Sequence, residues 1–138
     1  DINPGATSTN PIYLTNVSGT LYFTARTAAQ GYELWKSNGT SAGTVLVKDI
    51  RTGSAGSYTA ALQNVNGTLY FIADDGASGY EIWKSNGTSS GTVLVDDISG
   101  DSGSSTPKTM IPVGTRLYVV ASTNKNGLEL FSLDLSVL

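Results

Sequence analysis

Residues 81–98, EIWKSNGTSSGTVLVDDI, repeat residues 33–50, ELWKSNGTSAGTVLVKDI, almost letter for letter. The two stretches differ only at Leu34, Ala42 and Lys48, which become Ile, Ser and Asp in the later copy. They are 48 residues apart, and self-similarity at a fixed period of this length is typical of a repeat architecture. This repeat therefore decides how the rest of the chain is divided.

The spacing of 48 residues extends over the whole chain. Leu-Tyr-Phe at 21–23 returns at 69–71 and, as Leu-Tyr-Val, at 117–119. The third copy departs from the other two after Phe131, where the segment SNGTSAGT is missing. We therefore interpret the 138 residues as a single module, long enough to bury a core. Its three units are residues 1–48, 49–96 and 97–138.

Turn signals inside each unit predict short antiparallel strands. Asn-Gly at 66–67 separates two apolar runs, and this dipeptide favours a hairpin because a type I′ turn needs positive φ at both central residues. Ser-Gly at 18–19 holds the same place in the first unit. Another Asn-Gly, at 38–39, starts the reversal before a fourth strand, expected at 44–47 and again at 92–95. With no helical periodicity, the chain is predicted to be all-β, in tandem four-stranded antiparallel units.

The apolar pattern within the strands indicates how the sheets pack. Leu-Tyr-Phe-Ile-Ala at 69–73 and Val-Leu-Val at 93–95 are apolar at consecutive positions. Since neighbouring side chains on a strand point to opposite faces, such runs predict a sheet that is buried on both sides. Stacked four-stranded sheets of this kind are the blades of a β-propeller. The alternative is a β-trefoil, which also has three repeats of four strands in a chain of this length.

Composition excludes several classes of function. Charged residues make up 14% of the chain, the net charge is −3, and the eight basic residues are scattered, so no nucleic-acid partner is expected. The chain has neither His nor Cys, which excludes Ser-His and Cys-His catalysis and the usual zinc sites. No apolar run reaches the ~18 residues of a membrane span. Low charge together with many Gly, Ser, Thr and Asn favours a secreted or cell-surface protein.

The segment Glu-Leu-Trp-Lys-Ser-Asn-Gly-Thr at 33–40 resembles the ELWxxDGT tandem repeat of bacterial extracellular and surface proteins. The resemblance covers the first two units throughout and the third as far as Phe131. It implies a bacterial source, an extracellular location and membership of a larger array of units, and it implies no particular activity. Asn38 and Asn86 depart from the family pattern, which has Asp in this turn.

Carboxylates are the remaining candidates for catalysis. Glu33, Glu81 and Glu129 recur with the spacing of the repeat, and a group that recurs with the scaffold is expected to serve the scaffold. A glycosidase needs two carboxylates at a defined separation of ~5 or ~6.5–9.5 Å, which no motif here fixes. We therefore expect no enzymatic activity and rank a glycosidase as a distant third function.

Aromatic side chains suggest a lectin-like carbohydrate-binding module as the alternative function. Tyr32, Tyr80, Trp35 and Trp83 are the candidate ligand-binding residues, because flat aromatic faces serve as platforms for sugars. Recurrence of the tryptophans between apolar neighbours favours packing in the core. The tyrosines, at the loop-proximal start of the same strand, are the better candidates for glycan contact.

Calcium is the only cofactor for which the sequence offers candidate ligands. The loops that contain Asp74, Asp75, Asp97 and Asp101 are rich in Asp, Ser and Gly and can present several oxygen atoms. Neither loop has the spacing of an EF-hand. Ordinary turns closed by Asp side chains are the competing interpretation.

Unpaired strand edges and sheet faces at the two ends of the chain predict self-association. Residues 132–138, SLDLSVL, alternate apolar and polar residues and are expected to form a strand buried on one face only. Exposed edges pair with other chains, and uncovered sheet faces are large apolar patches. The expected function is thus a non-enzymatic structural or interaction module that assembles into a ring or a filament.

Overall fold

The computed structural model describes residues 2–3, 7–100 and 103–137. These residues form eleven β-strands and no helix, and every strand pairing is antiparallel, which confirms the all-β class. The strands are β1 (Ile12–Val17), β2 (Thr20–Thr27), β3 (Gly31–Ser37), β4 (Val45–Lys48), β5 (Ala60–Val65), β6 (Thr68–Asp74), β7 (Tyr80–Ser85), β8 (Val93–Asp96), β9 (Thr109–Val113), β10 (Arg116–Thr123) and β11 (Gly127–Asp134). The described part of the chain offers no helix of the length and hydropathy that crossing a membrane requires.

The described strands form three separate sheets. The first sheet has the order β1-β2-β3-β4 and the second β5-β6-β7-β8, while the third has three strands in the order β11-β10-β9. Each sheet is open and is made of strands that follow one another in the chain. A β-trefoil would require strands of all three units to pair in a common barrel, so that alternative is wrong.

The predicted hairpin turns are present. Ser18 and Gly19 have φ of 50° and 85°, and Asn66 and Gly67 have φ of 52° and 86°, as a type I′ turn requires. The Asn64 side chain supports the second turn, because its Oδ1 accepts a hydrogen bond from the Gly67 N–H at 3.0 Å. These turns fix the register of β1 on β2 and of β5 on β6.

The recurring SNGT segment forms a closed loop before β4 and before β8. Asn38 Oδ1 accepts hydrogen bonds from the Thr40 N–H and hydroxyl, and a Cβ added to Gly43 would lie only 1.9 Å from this oxygen. The Thr44 hydroxyl bonds to the Ser37 hydroxyl and to the Thr40 carbonyl. Thr44 therefore belongs to the loop, and β4 begins at Val45, one residue later than predicted. The shift recurs before β8, which begins at Val93.

The second sheet is buried on both faces. Leu69, Phe71 and Trp83 pack against the first sheet, whereas Tyr70 and Ile82 pack in the cluster shared with the third sheet. Consecutive residues of β6 thus enter two different cores, as the unbroken apolar run predicts. The sheets are stacked face to face, with β5 in contact with both β1 and β9.

The end of the third unit differs from its prediction. Residues 132–134 do not begin a separate strand but continue β11, where Ser132 pairs with Tyr118 and Asp134 with Arg116. A turn follows at 135–136, closed by hydrogen bonds from the Ser136 N–H and hydroxyl to Asp134 Oδ1. Without the SNGTSAGT loop the chain does not reverse after Phe131, so it lengthens the existing hairpin.

Candidate functional site

A cleft of about 190 Å³ lies between the first and second sheets and is lined by four tyrosines. We call it the tyrosine cleft; its lining residues are Ile12, Tyr13, Thr24, Tyr32, Tyr58, Thr59, Ala60 and Tyr80. The rings of Tyr32 and Tyr58 are tilted by 37° with centroids 5.6 Å apart. The Asn10 side chain donates a hydrogen bond of 2.8 Å to the Tyr32 hydroxyl. The cleft therefore presents aromatic faces and hydroxyl groups side by side.

Buried threonines hold the floor of the tyrosine cleft. The Thr24 hydroxyl lies 2.6 Å from the Thr59 hydroxyl and donates to the Thr59 carbonyl at 2.8 Å. Since Thr24 belongs to β2 and Thr59 immediately precedes β5, these bonds tie the first sheet to the second. The cleft is thus built on a fixed junction between two sheets.

The structure separates the four aromatic residues that the sequence singled out. Tyr32 and Tyr80 are half-buried and both line the cleft. Trp35 and Trp83 are buried in apolar clusters, and no partner reaches their indole N–H groups among the described residues. The tryptophans thus lie in the core, because their rings fill the space between stacked sheets and offer no face to a ligand.

Sequence reasoning missed Tyr13 and Tyr58. Both are half-exposed, and both line the tyrosine cleft. They do not recur, since Ala61 and Thr106 stand 48 residues later. An aromatic residue that breaks the repeat was the available signal.

The recurring glutamates form a second arrangement, here called the glutamate clamps. Glu33 is fully buried at the start of β3 and accepts hydrogen bonds from the segment between β4 and β5. Its donors are the N–H groups of Ile50, Arg51 and Ser57, at 3.2, 3.1 and 2.9 Å, and the Ser57 hydroxyl, at 2.6 Å. The carboxylate therefore fixes the crossover from one sheet to the next.

The clamp recurs at Glu81 and stops at Glu129. Glu81 accepts from the N–H groups of Ile98 and Ser105 and from the Ser105 hydroxyl. The Glu129 side chain is exposed, and its carboxylate accepts no hydrogen bond from any residue that the structure describes. A Cβ at Gly56 would lie 2.3 Å from the Tyr32 nitrogen, so the crossover passes too closely for any larger residue. All four bonds to Glu33 serve the scaffold, which leaves no free face for catalysis.

Burial raises the pKa of Glu33 from 4.5 to about 7, against the lowering effect of its hydrogen bonds to Ser57, Arg51 and Ile50. Burial also raises the pKa of Glu81, against its hydrogen bonds to Ser105 and Ile98. In both clamps the loss of hydration outweighs the donors that face the carboxylate.

Stability is expected to depend on pH through these clamps. A carboxyl with a higher pKa in the folded than in the unfolded state stabilises the fold below its unfolded pKa, and this contribution is lost as pH rises through the folded pKa. The free energy of unfolding should thus decrease between about pH 4.5 and 7, by at most about 3 kcal/mol from Glu33. Denaturant titrations across this interval would measure it. Glu33→Gln should flatten the profile and Glu129→Gln should not; a profile that rises over the interval would contradict the assignment.

The aspartates proposed for calcium close local turns. Asp74 forms an ion pair with Arg51 and accepts from the Gly76 N–H, while Asp75 Oδ1 accepts from the N–H groups of Ala77 and Ser78. Asp97 Oδ1 accepts from the Ser99 hydroxyl and the Gly100 N–H, and Asp101 lies outside the described residues.

No cluster of three or more acidic, His or Cys side chains suited to a metal ion occurs in the described ranges. The described aspartates therefore fit the interpretation as turn-closing residues. Of the sequence candidates, Tyr32 and Tyr80 alone are brought together in a cleft. Comparison with protein-family models, with curated proteins and with solved structures finds no match to this chain.

Proposed function

We propose that this chain is a non-enzymatic structural and interaction module of propeller-type units that self-associates head to tail. The observation that carries the proposal is a difference between equivalent positions. Leu34 and Ile82 are fully buried between sheets, whereas Leu130, 48 residues further on, is 66% exposed in the third sheet. Val17 and Val65 are buried likewise, and Val113 is exposed. The third sheet thus leaves uncovered the face through which the first two sheets pack onto their successors.

The first sheet carries the complementary surface. Leu62 and Met110 are 8% and 3% exposed at the junctions inside the chain, but the equivalent Leu14 is 63% exposed. Phe23 and Trp35 hold the places in the first sheet that Phe71 and Trp83 hold in the second. Ile2 already packs against this surface, as Ile50 does within the internal junction, so it would not compete with a second copy.

A second copy of the chain therefore fits both ends. Placing the third sheet of one copy on the first sheet of the next would reproduce the internal junctions, and a head-to-tail contact of this kind closes into a ring or extends as a filament. Two copies would supply about six units, within the usual four to eight blades of a propeller. The β11 edge, which has no partner strand on its outer side among the described residues, adds hydrogen-bonding groups to the contact. A secreted or cell-surface location of a bacterial protein is part of the same proposal.

Self-association is expected to be lost when either apolar end receives a charge. Light scattering should give a mass above the 14.3 kDa monomer for the wild type at micromolar concentration and the monomer mass for Leu130→Lys and for Leu14→Lys. Burial of an unpaired ammonium group at the contact is the reason. Val93→Lys is the matched control, because Val93 is exposed on β8 outside both surfaces.

Mixing the two variants tests the head-to-tail geometry. Leu130→Lys keeps an intact first sheet and Leu14→Lys an intact third sheet, so together they should form a heterodimer through one unaltered junction. A wild-type monomer would overturn self-association. If Leu14→Lys alone still dimerised, the contact would join two third sheets, and the head-to-tail arrangement would be wrong.

A further inference from the structure

Two aromatic side chains of the tyrosine cleft are not required by the fold. Tyr13 and Tyr58 have φ of 56° and 50°, and the equivalent Ala61 and Thr106 have φ of 51° and 40°. The backbone therefore takes the same conformation with small side chains in the second unit. Bulky residues are disfavoured at positive φ, so tyrosine is a costly choice at these two places. A role outside the scaffold accounts for that choice.

Exposure supports the same conclusion. Tyr13 is 51% and Tyr58 is 50% exposed, although each ring contributes to the walls of one cleft. The recurring tyrosines behave differently, since Tyr22 and Tyr70 are buried in the apolar clusters. Half-exposed aromatic rings that face a concave surface are typical of binding sites, where one side of the ring stays open to a ligand.

The chemistry of the walls defines the ligand. Tyrosine rings offer flat apolar faces, and their hydroxyl groups both donate and accept hydrogen bonds. No charged residue lines the tyrosine cleft. We propose that the tyrosine cleft binds a neutral sugar ring, whose C–H face packs on an aromatic face while its hydroxyls meet the phenol groups. This goes beyond the proposed self-association and does not depend on it, because the cleft lies within one chain.

The size of the cleft limits the ligand to one ring at a time. Its volume of about 190 Å³ is below the ~300–1,000 Å³ of sites for drug-sized molecules. A single sugar residue of a longer glycan suits this space. A proline-rich peptide also docks on aromatic residues, but it needs an extended groove for several residues in succession.

The chain contains its own comparison site. A second cleft, of about 320 Å³, lies at the equivalent place between the second and third sheets and is lined by Ala60, Ile72, Tyr80, Thr106, Pro107 and Lys108. It keeps one tyrosine, replaces Tyr58 by Thr106, and carries the Lys108 cation. Because the backbone is repeated and the aromatic walls are not, the second cleft is expected to bind no neutral sugar.

The test is a binding screen on the full chain. The probes are immobilised neutral oligosaccharides of glucose, galactose, mannose and N-acetylglucosamine, with sulfated and sialylated glycans alongside. Calorimetric titration with the best neutral probe should then show roughly tenfold weaker binding for Tyr58→Thr and for Tyr13→Ala, since each removes one aromatic contact. Tyr58→Phe should keep most of the affinity because the ring remains. Lys108→Ala, in the second cleft, should change nothing.

Several results would overturn the proposal. They are the retention of no neutral glycan, a preference for anionic glycans, affinity unchanged by Tyr58→Thr, and binding of a polyproline peptide in place of sugar. Thermal melting of each variant verifies the fold, and Tyr58→Thr should fold because threonine occupies the equivalent position 106. If that variant did unfold, Tyr13→Ala and Tyr58→Phe would still decide the outcome.

Discussion

Trp83→Ala is expected to lower the free energy of unfolding by about 3–5 kcal/mol, the usual cost of removing a large aromatic side chain from a core. The Trp83 ring is buried between the first and second sheets, opposite Phe71 on β6. The Lys48 ammonium lies 5.7 Å from its centroid and donates to the Thr92 carbonyl. Removal of the ring would therefore leave a cavity at the junction and weaken the contact between the sheets.

Tyr58→Thr is the matched control for this loss. It also removes an aromatic ring, but a half-exposed one, so denaturant titration should show a change of less than about 1 kcal/mol. A denaturation midpoint of Trp83→Ala close to that of the wild type would show that the ring does not hold the sheets together. It would also reopen the interpretation of the tryptophans as surface platforms.

Glu33→Gln is expected to cost about 2–3 kcal/mol at pH 6. The glutamine amide would place an NH₂ group where Glu33 now accepts from two N–H groups, or from one N–H group and a hydroxyl. Donors would then face donors in a fully buried site, and at least one of them would lose its partner. Urea denaturation of the variant measures the effect.

Glu129→Gln provides the comparison in the same chain. It alters the equivalent residue where the carboxylate is exposed, so its effect should stay within about 0.5 kcal/mol. Equal losses in the two variants would mean that the buried hydrogen bonds are not the source of the effect. Loss in Glu33→Gln alone would identify the clamp as a structural element.

The parts of the fold that depend on local chemistry could be predicted from the sequence. Ser18-Gly19 and Asn66-Gly67 specify their turns because their backbone angles leave few alternatives. The unbroken apolar run of β6 indicated burial on both faces for a similarly local reason. Strand ends were less certain: Thr44 is β-branched and suits a strand, but its hydroxyl bonds within the loop.

Features that depend on distant partners could not be predicted. Glu33 was expected to serve the scaffold, yet nothing near it in the chain shows that Ser57 is its partner; only the recurrence of Ser105 at the same distance from Glu81 hints at this. Tyr58 was missed because attention went to aromatic residues that recur. Within a repeat, recurrence identifies the scaffold, and the residues that break the pattern are the better guide to a ligand site.

The glutamate clamps also affect the order in which the chain can fold during synthesis. Glu33 belongs to the first sheet, but its donors extend to Ser57, nine residues beyond the end of that sheet at Lys48. Until the ribosome has released residue 57, the first sheet carries a carboxylate that has neither been paired nor fully dehydrated. Each sheet is thus completed only when the crossover to its successor has emerged, so a ribosomal pause inside residues 49–57 would delay the sheet already made.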